Sequence, residues 1–164
     1  MAITDLQKFT VKEKLNKMDV DIISVDVAVQ SSQSLDLMYE PTEIPNAVAV
    51  PGGTCIIQSI TASLPLDKNI THNLVISDVV TSMGVSKDSP LSNVDNAVIA
   101  GIQGFIPISV GTAFGSADTV ASVLSIGLIC KAASDTTSLF VYGIQTASNS
   151  ITGTMNLKFG IVKD

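Results

Sequence analysis

From Asp21 onward the apolar residues recur at every second position, and that period restricts the chain to strands. Ile23, Val25, Val27 and Val29 alternate with Ser24, Asp26 and Ala28. Successive strand side chains point to opposite sides, so this is the pattern of a strand with one face on a core. Ser34 to Tyr39 reads as a second strand ended by Glu40-Pro41, and Ala47 to Val50 as a third, stopped by the turn Pro51-Gly52-Gly53. Thr54 to Leu64 follows, broken by Pro65 and the polar run Asp67-Lys68-Asn69, and then Asn73 to Val80. Residues 82–90 are turn-like. Ser92 to Gly101 is the one internal helix predicted: Ser92 can cap it, Asp95 suits the first turn and Gly101 can end it. Phe105 to Val110 returns to strand and Gly111 to Asp118 reads as loop. Three long strands close the chain, Val120 to Ala132, Ser138 to Ala147 and Thr152 to Val162. Their connections, 133–136 and 148–150, are short enough to predict antiparallel neighbours. Eight or nine strands with turns about every ten residues predict an all-β fold, an antiparallel two-layer β-sandwich or jelly roll with one short helix.

The first residues differ from this pattern. Thr4-Asp5-Leu6-Gln7 has capping-box spacing, and Leu6 and Phe9, with Glu13, Leu15 and Met18, form a loose helical stripe. The reading is an N-terminal arm or short helix over 1–20 and a β-sandwich domain over 21–164. Residues 1–18 carry Lys8, Lys12, Lys14 and Lys17 against Asp5 and Glu13, a net +2, which leaves −8 on the rest of a chain of net charge −6. An arm of this charge suits an acidic partner surface or a neighbouring copy. With 46% hydrophobic and 15% charged residues and a mean hydropathy of +0.44, the chain is short of the charge that keeps a monomer's surface in water. An oligomer or a larger assembly is expected.

Residue types that build active sites are scarce. All nine basic residues are Lys, there is no Trp, and there is a single His. Without Arg, on an acidic body, nucleic-acid binding is not expected. No apolar run reaches the roughly 20 residues of a membrane helix, because Val120 to Cys130 is short and holds Ser122 and Ser125. No secretory leader is read at the N-terminus, so Cys55 and Cys130 read as free buried thiols. His72, beside the polar turn, reads as an exposed loop residue, and its sequence neighbours Ser77 and Asp78 lack the spacing of a catalytic triad. The Asp residues form no calcium-loop pattern, and the glycines near 101–104 and 111–115 lack the Lys of a phosphate loop. No enzyme, metal or cofactor is expected.

Three stretches together resemble a known group. They are Cys55-Ile-Ile-Gln-Ser-Ile-Thr-Ala-Ser63; Asn73 to Val80 with Pro90 to Gly101 and Phe105 to Ser109; and Thr137 to Gln145 with Met155 to Val162. Their order over residues 21–164 resembles small virion structural proteins of tailed bacteriophages, marine and cyanobacterial ones especially. Phe140 and Tyr142 and the lack of Arg in the closing strands depart from the usual look of that group. The resemblance implies a capsid decoration (cement) protein on the outer surface of the head. Its partners would be the major capsid protein and further copies of itself, as a trimer. The shell-gripping residues would be Lys8, Phe9, Lys12, Lys14 and Lys17. A tail, neck or fibre component, or a carbohydrate-binding module, is the alternative; scarce aromatics speak against the last.

Overall fold

The computed structural model describes residues 19–30, 33–64, 71–80, 83, 87, 89–91, 94, 96–109, 112–114, 118–148 and 151–163. Among the described residues nine strands and one helix follow in chain order: β1 (Asp19–Val29), β2 (Leu37–Ile44), β3 (Thr54–Leu64), β4 (His72–Ser77), α1 (Asn96–Gly101), β5 (Ile102–Ile108), β6 (Thr112–Phe114), β7 (Asp118–Lys131), β8 (Leu139–Gln145) and β9 (Gly153–Lys163). They form two antiparallel sheets, ordered β1-β9-β3-β7-β6 and β2-β8-β4-β5.

The pairings nest. β4 pairs with β5, β3 with β7, β2 with β8, and β1 with β9. The chain is thus one long antiparallel ribbon whose rungs fall alternately in the two layers, and β9 with β3 and β8 with β4 seal each layer. Eight strands wound this way are a jelly roll, and the three-residue β6 adds a fifth strand beside β7. The expected all-β sandwich is therefore observed.

The core fills the space between the layers. Register places Val25, Leu157, Ala62 and Ala121 in one inward row, and Ile23, Phe159, Ile60 and Val123 in the next. Leu74, Ile76, Ile106, Ile108 and Val141 meet them from the four-stranded sheet. The alternation from Ile23 to Val29 is this inward face, as the sequence predicted.

Several local expectations are corrected. β2 does not stop before Pro41 but runs to Ile44. It is an edge strand with register shifts on both sides of Tyr39, where proline's missing N–H is tolerated. Ala47 to Val50 is a bent loop that joins no sheet, with Ala47 and Val48 buried and Val50 exposed: Val48 N donates to Thr137 O at 3.0 Å and Gly53 N to Val50 O at 2.9 Å. The helix spans only Asn96–Gly101, and the caps expected of Ser92 and Asp95 lie outside the described residues. The loop expected over 111–118 contains β6 and the start of β7. Most consequentially, β7, β8 and β9 are not hairpin neighbours. β8 lies in the opposite layer from β7 and β9. A short connection can arch the roughly 10 Å between sheets as readily as it can turn back within one.

Candidate interaction surface

The two layers are finished differently on their outer sides. Outside the four-stranded sheet, Leu37, Val75 and Tyr142 are buried beneath Met83 and Val98, with Leu91, Val94, Ile102, Phe140 and Ile144 packed around them. Helix α1 with Met83, Leu91 and Val94 before it clads this face, and the Tyr142 hydroxyl ties down the start of that stretch by donating to Val79 O at 2.7 Å. β4 and β8 are therefore apolar on both faces, as Val75-Ile76 and Val141-Tyr142 are in sequence.

The five-stranded sheet has no such cover among the described residues. Its outward positions align across four strands. Val20, Val162, Ile56 and Ile129 form one row from β1 through β9 and β3 to β7, and Ile22, Gly160, Ser59 and Leu124 form the next. Val20 is 74% exposed, Ile22 77%, Leu124 71% and Ile129 69%. Covering these four side chains would contribute roughly 1–2 kcal/mol each. Below them the face turns polar. The third row is Ser24, Lys158, Thr61 and Ser122, and the fourth Asp26, Asn156, Ser63 and Val120. Asn156 Nδ2 donates to Asp26 Oδ1 at 2.7 Å and to Ser24 Oγ at 2.8 Å, and the Thr61 and Ser122 hydroxyls lie 3.2 Å apart. An exposed apolar end that adjoins a hydrogen-bonded polar end is a surface suited to a protein–protein contact.

A bulge shapes the apolar end. Between the pairs Ile57–Leu128 and Ser59–Leu124, β7 carries three residues against one on β3. Ser125 and Gly127 take φ of 58° and 65° to absorb them. The bulge bends β7 and separates Leu124 from Ile129 without moving either off the outer face.

At the polar end a shallow groove of about 580 Å³ is lined by Asp26, Ser63, Leu64, Asp118, Val120, Thr154 and Asn156. Two carboxylates share it, but among the described residues no aromatic ring lines it, as a sugar platform would require. Among the described residues no cluster of three or more His, Cys, Asp or Glu forms a metal site, and no helix is long and apolar enough to cross a membrane.

The structure corrects the reading of His72. It is the first residue of β4 and is fully buried, facing the core with Leu74 and Ile76. Ser77 lies on the opposite face of the same strand, about 16 Å along it at 3.3 Å per residue, so the two do not meet. Tyr39 meets the His72 ring edge-on at 6.1 Å. Neither ring nitrogen nor the Tyr39 hydroxyl has a hydrogen-bond partner among the described residues. Burial lowers the His72 pKa to about 4 and raises that of Tyr39 well above its usual value, so both groups are neutral at physiological pH. Cys55 and Cys130 are free and buried, and register sets them opposite each other on β3 and β7. Burial raises their pKa values to about 11 and about 12, although Lys163 pulls that of Cys55 down.

Lys8, Phe9, Lys12, Lys14 and Lys17 lie outside the described residues. The apolar rows themselves were missed in the sequence. Their signal was the outward parity of β1, which carries Val20 and Ile22 before it turns to Ser24 and Asp26.

No protein-family model matches this chain, and no curated protein matches it. It is similar to a chain of the cyanophage Pam1 capsid asymmetric unit, with 12% identity over 90% of this chain and 86% of that one, at a TM-score of 0.37. A chain of the virus-like particle of the extra small virus of the giant freshwater prawn Macrobrachium rosenbergii is similar at 10% identity over 90% and 80%, TM-score 0.33. A chain of Desmodium yellow mottle tymovirus is similar at 14% identity over 90% and 87%, TM-score 0.28. Likeness at this level assigns no function.

Proposed function

We propose that this chain is a virion structural protein that decorates the outer surface of a phage head. The observation that carries the reading is the apolar row Val20, Val162, Ile56 and Ile129 on the five-stranded sheet, with Ile22 and Leu124 exposed at the ends of the next row, which a protein working alone in water has no reason to display. The sequence resemblance over residues 21–164 supports the same reading. The jelly roll is compatible with it, since that scaffold serves capsid proteins and lectins alike and does not choose between them. On this reading the work is mechanical. Antiparallel ladders resist shear, and the outer face is consumed in contacts between copies arranged as trimers. The lysine-rich segment, through Lys8, Phe9, Lys12, Lys14 and Lys17, attaches to the major capsid protein. No catalysis, cofactor, nucleic acid or membrane takes part.

The test is the copy number of the protein in purified particles, measured against the major capsid protein. A number comparable to that of the shell protein is expected. A number matching a tail or neck ring would move the protein to that location, and absence from particles would overturn the reading. Removing residues 1–18 is expected to weaken attachment while leaving the domain folded.

A further inference from the structure

The two cysteines meet at one end of the five-stranded sheet. Register sets Lys163, Cys55 and Cys130 side by side on β9, β3 and β7, and all three are buried. The ladder at this end is fixed by Ala132 N, which donates to Gly53 O at 3.1 Å. Hydrogen-bonded pairs alternate along an antiparallel ladder, so Cys55 and Cys130, two residues further in, form the next such pair. Directly opposite residues of that kind stand about 5.5 Å apart at Cα. A cystine spans about 4.4–6.8 Å between Cα atoms, with both side chains on one side. The strands therefore hold the two thiols at bonding separation without a change of backbone.

The surroundings distinguish the two sulfurs. A charge on Cys55 raises the pKa of Cys130, so each senses the other. The Lys163 ammonium, paired with Asp21 Oδ2, draws the pKa of Cys55 downward. Cys55 is therefore the readier thiolate. The pair lies at the end of both strands, next to the turn at 51–53, where opening a few ladder bonds uncovers it. A bond between them ties β3, the middle strand of the five, to β7, and so the first half of the chain to the second.

We propose that Cys55 and Cys130 are a built disulfide site, held as thiols in reducing surroundings and cross-linked where a low-molecular-weight disulfide is the oxidant. The Cys55 thiolate attacks one sulfur of that disulfide and releases the other half as a thiolate. The Cys130 thiolate then attacks the Cys55 sulfur and expels the first half. Two protein thiols are oxidised, the small disulfide is reduced, and its two released thiolates take up the two protons. Neither sulfur is reached in the closed fold, so exchange takes place as β3 and β7 pair during folding or when this end of the sheet opens. The staple works whether or not the protein belongs to a virion; on the decoration reading it closes when the particle leaves the reducing interior of its host.

The experiment equilibrates the full-length protein in mixtures of reduced and oxidised glutathione, once in native buffer and once in concentrated urea. The cross-linked fraction is read by acid quenching, alkylation and mass spectrometry, and the same value reached from reduced and from oxidised protein marks equilibrium. Closing a loop of about 75 residues costs the unfolded chain an entropy that the folded chain has already lost. The native oxidation constant is therefore expected to exceed the denatured one on the order of a thousandfold. A ratio of about ten or less would overturn the proposal, because the fold would then be holding the sulfurs in a geometry that resists the bond. Cross-linked dimers in place of the internal bond would overturn it too. The oxidised protein is also expected to unfold at a higher urea concentration than the reduced protein, and an equal or lower midpoint would count against the site in the same way.

Discussion

Lowering the pH should destabilise this fold through His72, by an amount its burial sets. The imidazole is held neutral between the sheets, with its pKa lowered from 6.5 to about 4 by burial. Gln145 and Ile108 flank it in register on β8 and β5, and the edge of Tyr39 faces it from β2. Tyr39, with its own pKa raised by burial, supplies no charge to steady an imidazolium. The unfolded chain takes up a proton on this side chain as pH falls through 6.5, whereas the folded chain does so only near 4. Proton uptake therefore favours unfolding across that window. Each pH unit within it costs about 1.4 kcal/mol. The contribution is intact above pH 6.5, is reduced by about 2 kcal/mol at pH 5, and is lost by roughly 3 kcal/mol below pH 4.

The measurement is urea unfolding between pH 8 and pH 4.5, on the natural protein and on His72→Leu. Carboxylates titrate in both proteins over the acid part of the range, so the difference between the two stability curves isolates the imidazole. His72→Leu replaces an unpartnered buried polar ring by an apolar side chain, so at pH 8 it should be neutral or mildly stabilising. As the pH is lowered the gap in favour of the variant should widen, reaching about 2 kcal/mol at pH 5. Parallel curves would refute the argument, because they would mean that His72 exchanges protons equally well in both states.

Other consequences can be read on the same protein. Gly143→Ala puts a methyl group into the ring of Tyr39, 2.6 Å from Cδ1, and should lower stability by about 1–3 kcal/mol in thermal melts. Cys55 and Cys130, buried and held as thiols, should resist a thiol reagent at pH 8 in the native state and react fully in denaturant. The double change Leu124→Lys with Ile129→Lys should leave urea stability within about 0.5 kcal/mol yet reduce binding to particles lacking the protein. Ile57→Ala, on the fully buried face of the same sheet, should cost about 2–5 kcal/mol.

Where the sequence was readable, it was readable through parity. Ile23 to Val29 named the inward face of β1, and Thr54 to Leu64 was recovered residue for residue as β3. His72 obeys the same rule: it shares the parity of Leu74 and Ile76, and its burial was hidden only because the polar run before it looked like a turn that took in His72, with the strand starting at Asn73. Parity cannot say which strands lie side by side. The closing connections are as short as hairpin loops, yet they arch between layers, because the partners of β8 and β9 were fixed by strands from the first half of the chain. The outer rows were hidden for that reason. Val20, Val162, Ile56 and Ile129 are scattered across the sequence, and only register brings them into line.

The contrast between the two layers locates the function more firmly than any single residue does. In a sandwich of two antiparallel sheets, each outer face must be polar, clad from within, or covered by something else. This chain clads the four-stranded layer, with α1 and the segment around Met83, Leu91 and Val94, and fixes the cladding through the Tyr142 hydroxyl. On the five-stranded layer it makes half of the face polar, with a hydrogen-bonded margin through Asn156. The other half remains apolar at positions where the same strands carry Ser and Asp a few residues further on. Replacing Val20, Ile22, Leu124 or Ile129 by a polar residue disturbs no packing among the described residues, so folding does not require them to be apolar. On the proposed reading their hydrophobicity is explained by a contact outside the sandwich, which would cover the four most exposed apolar side chains among the described residues.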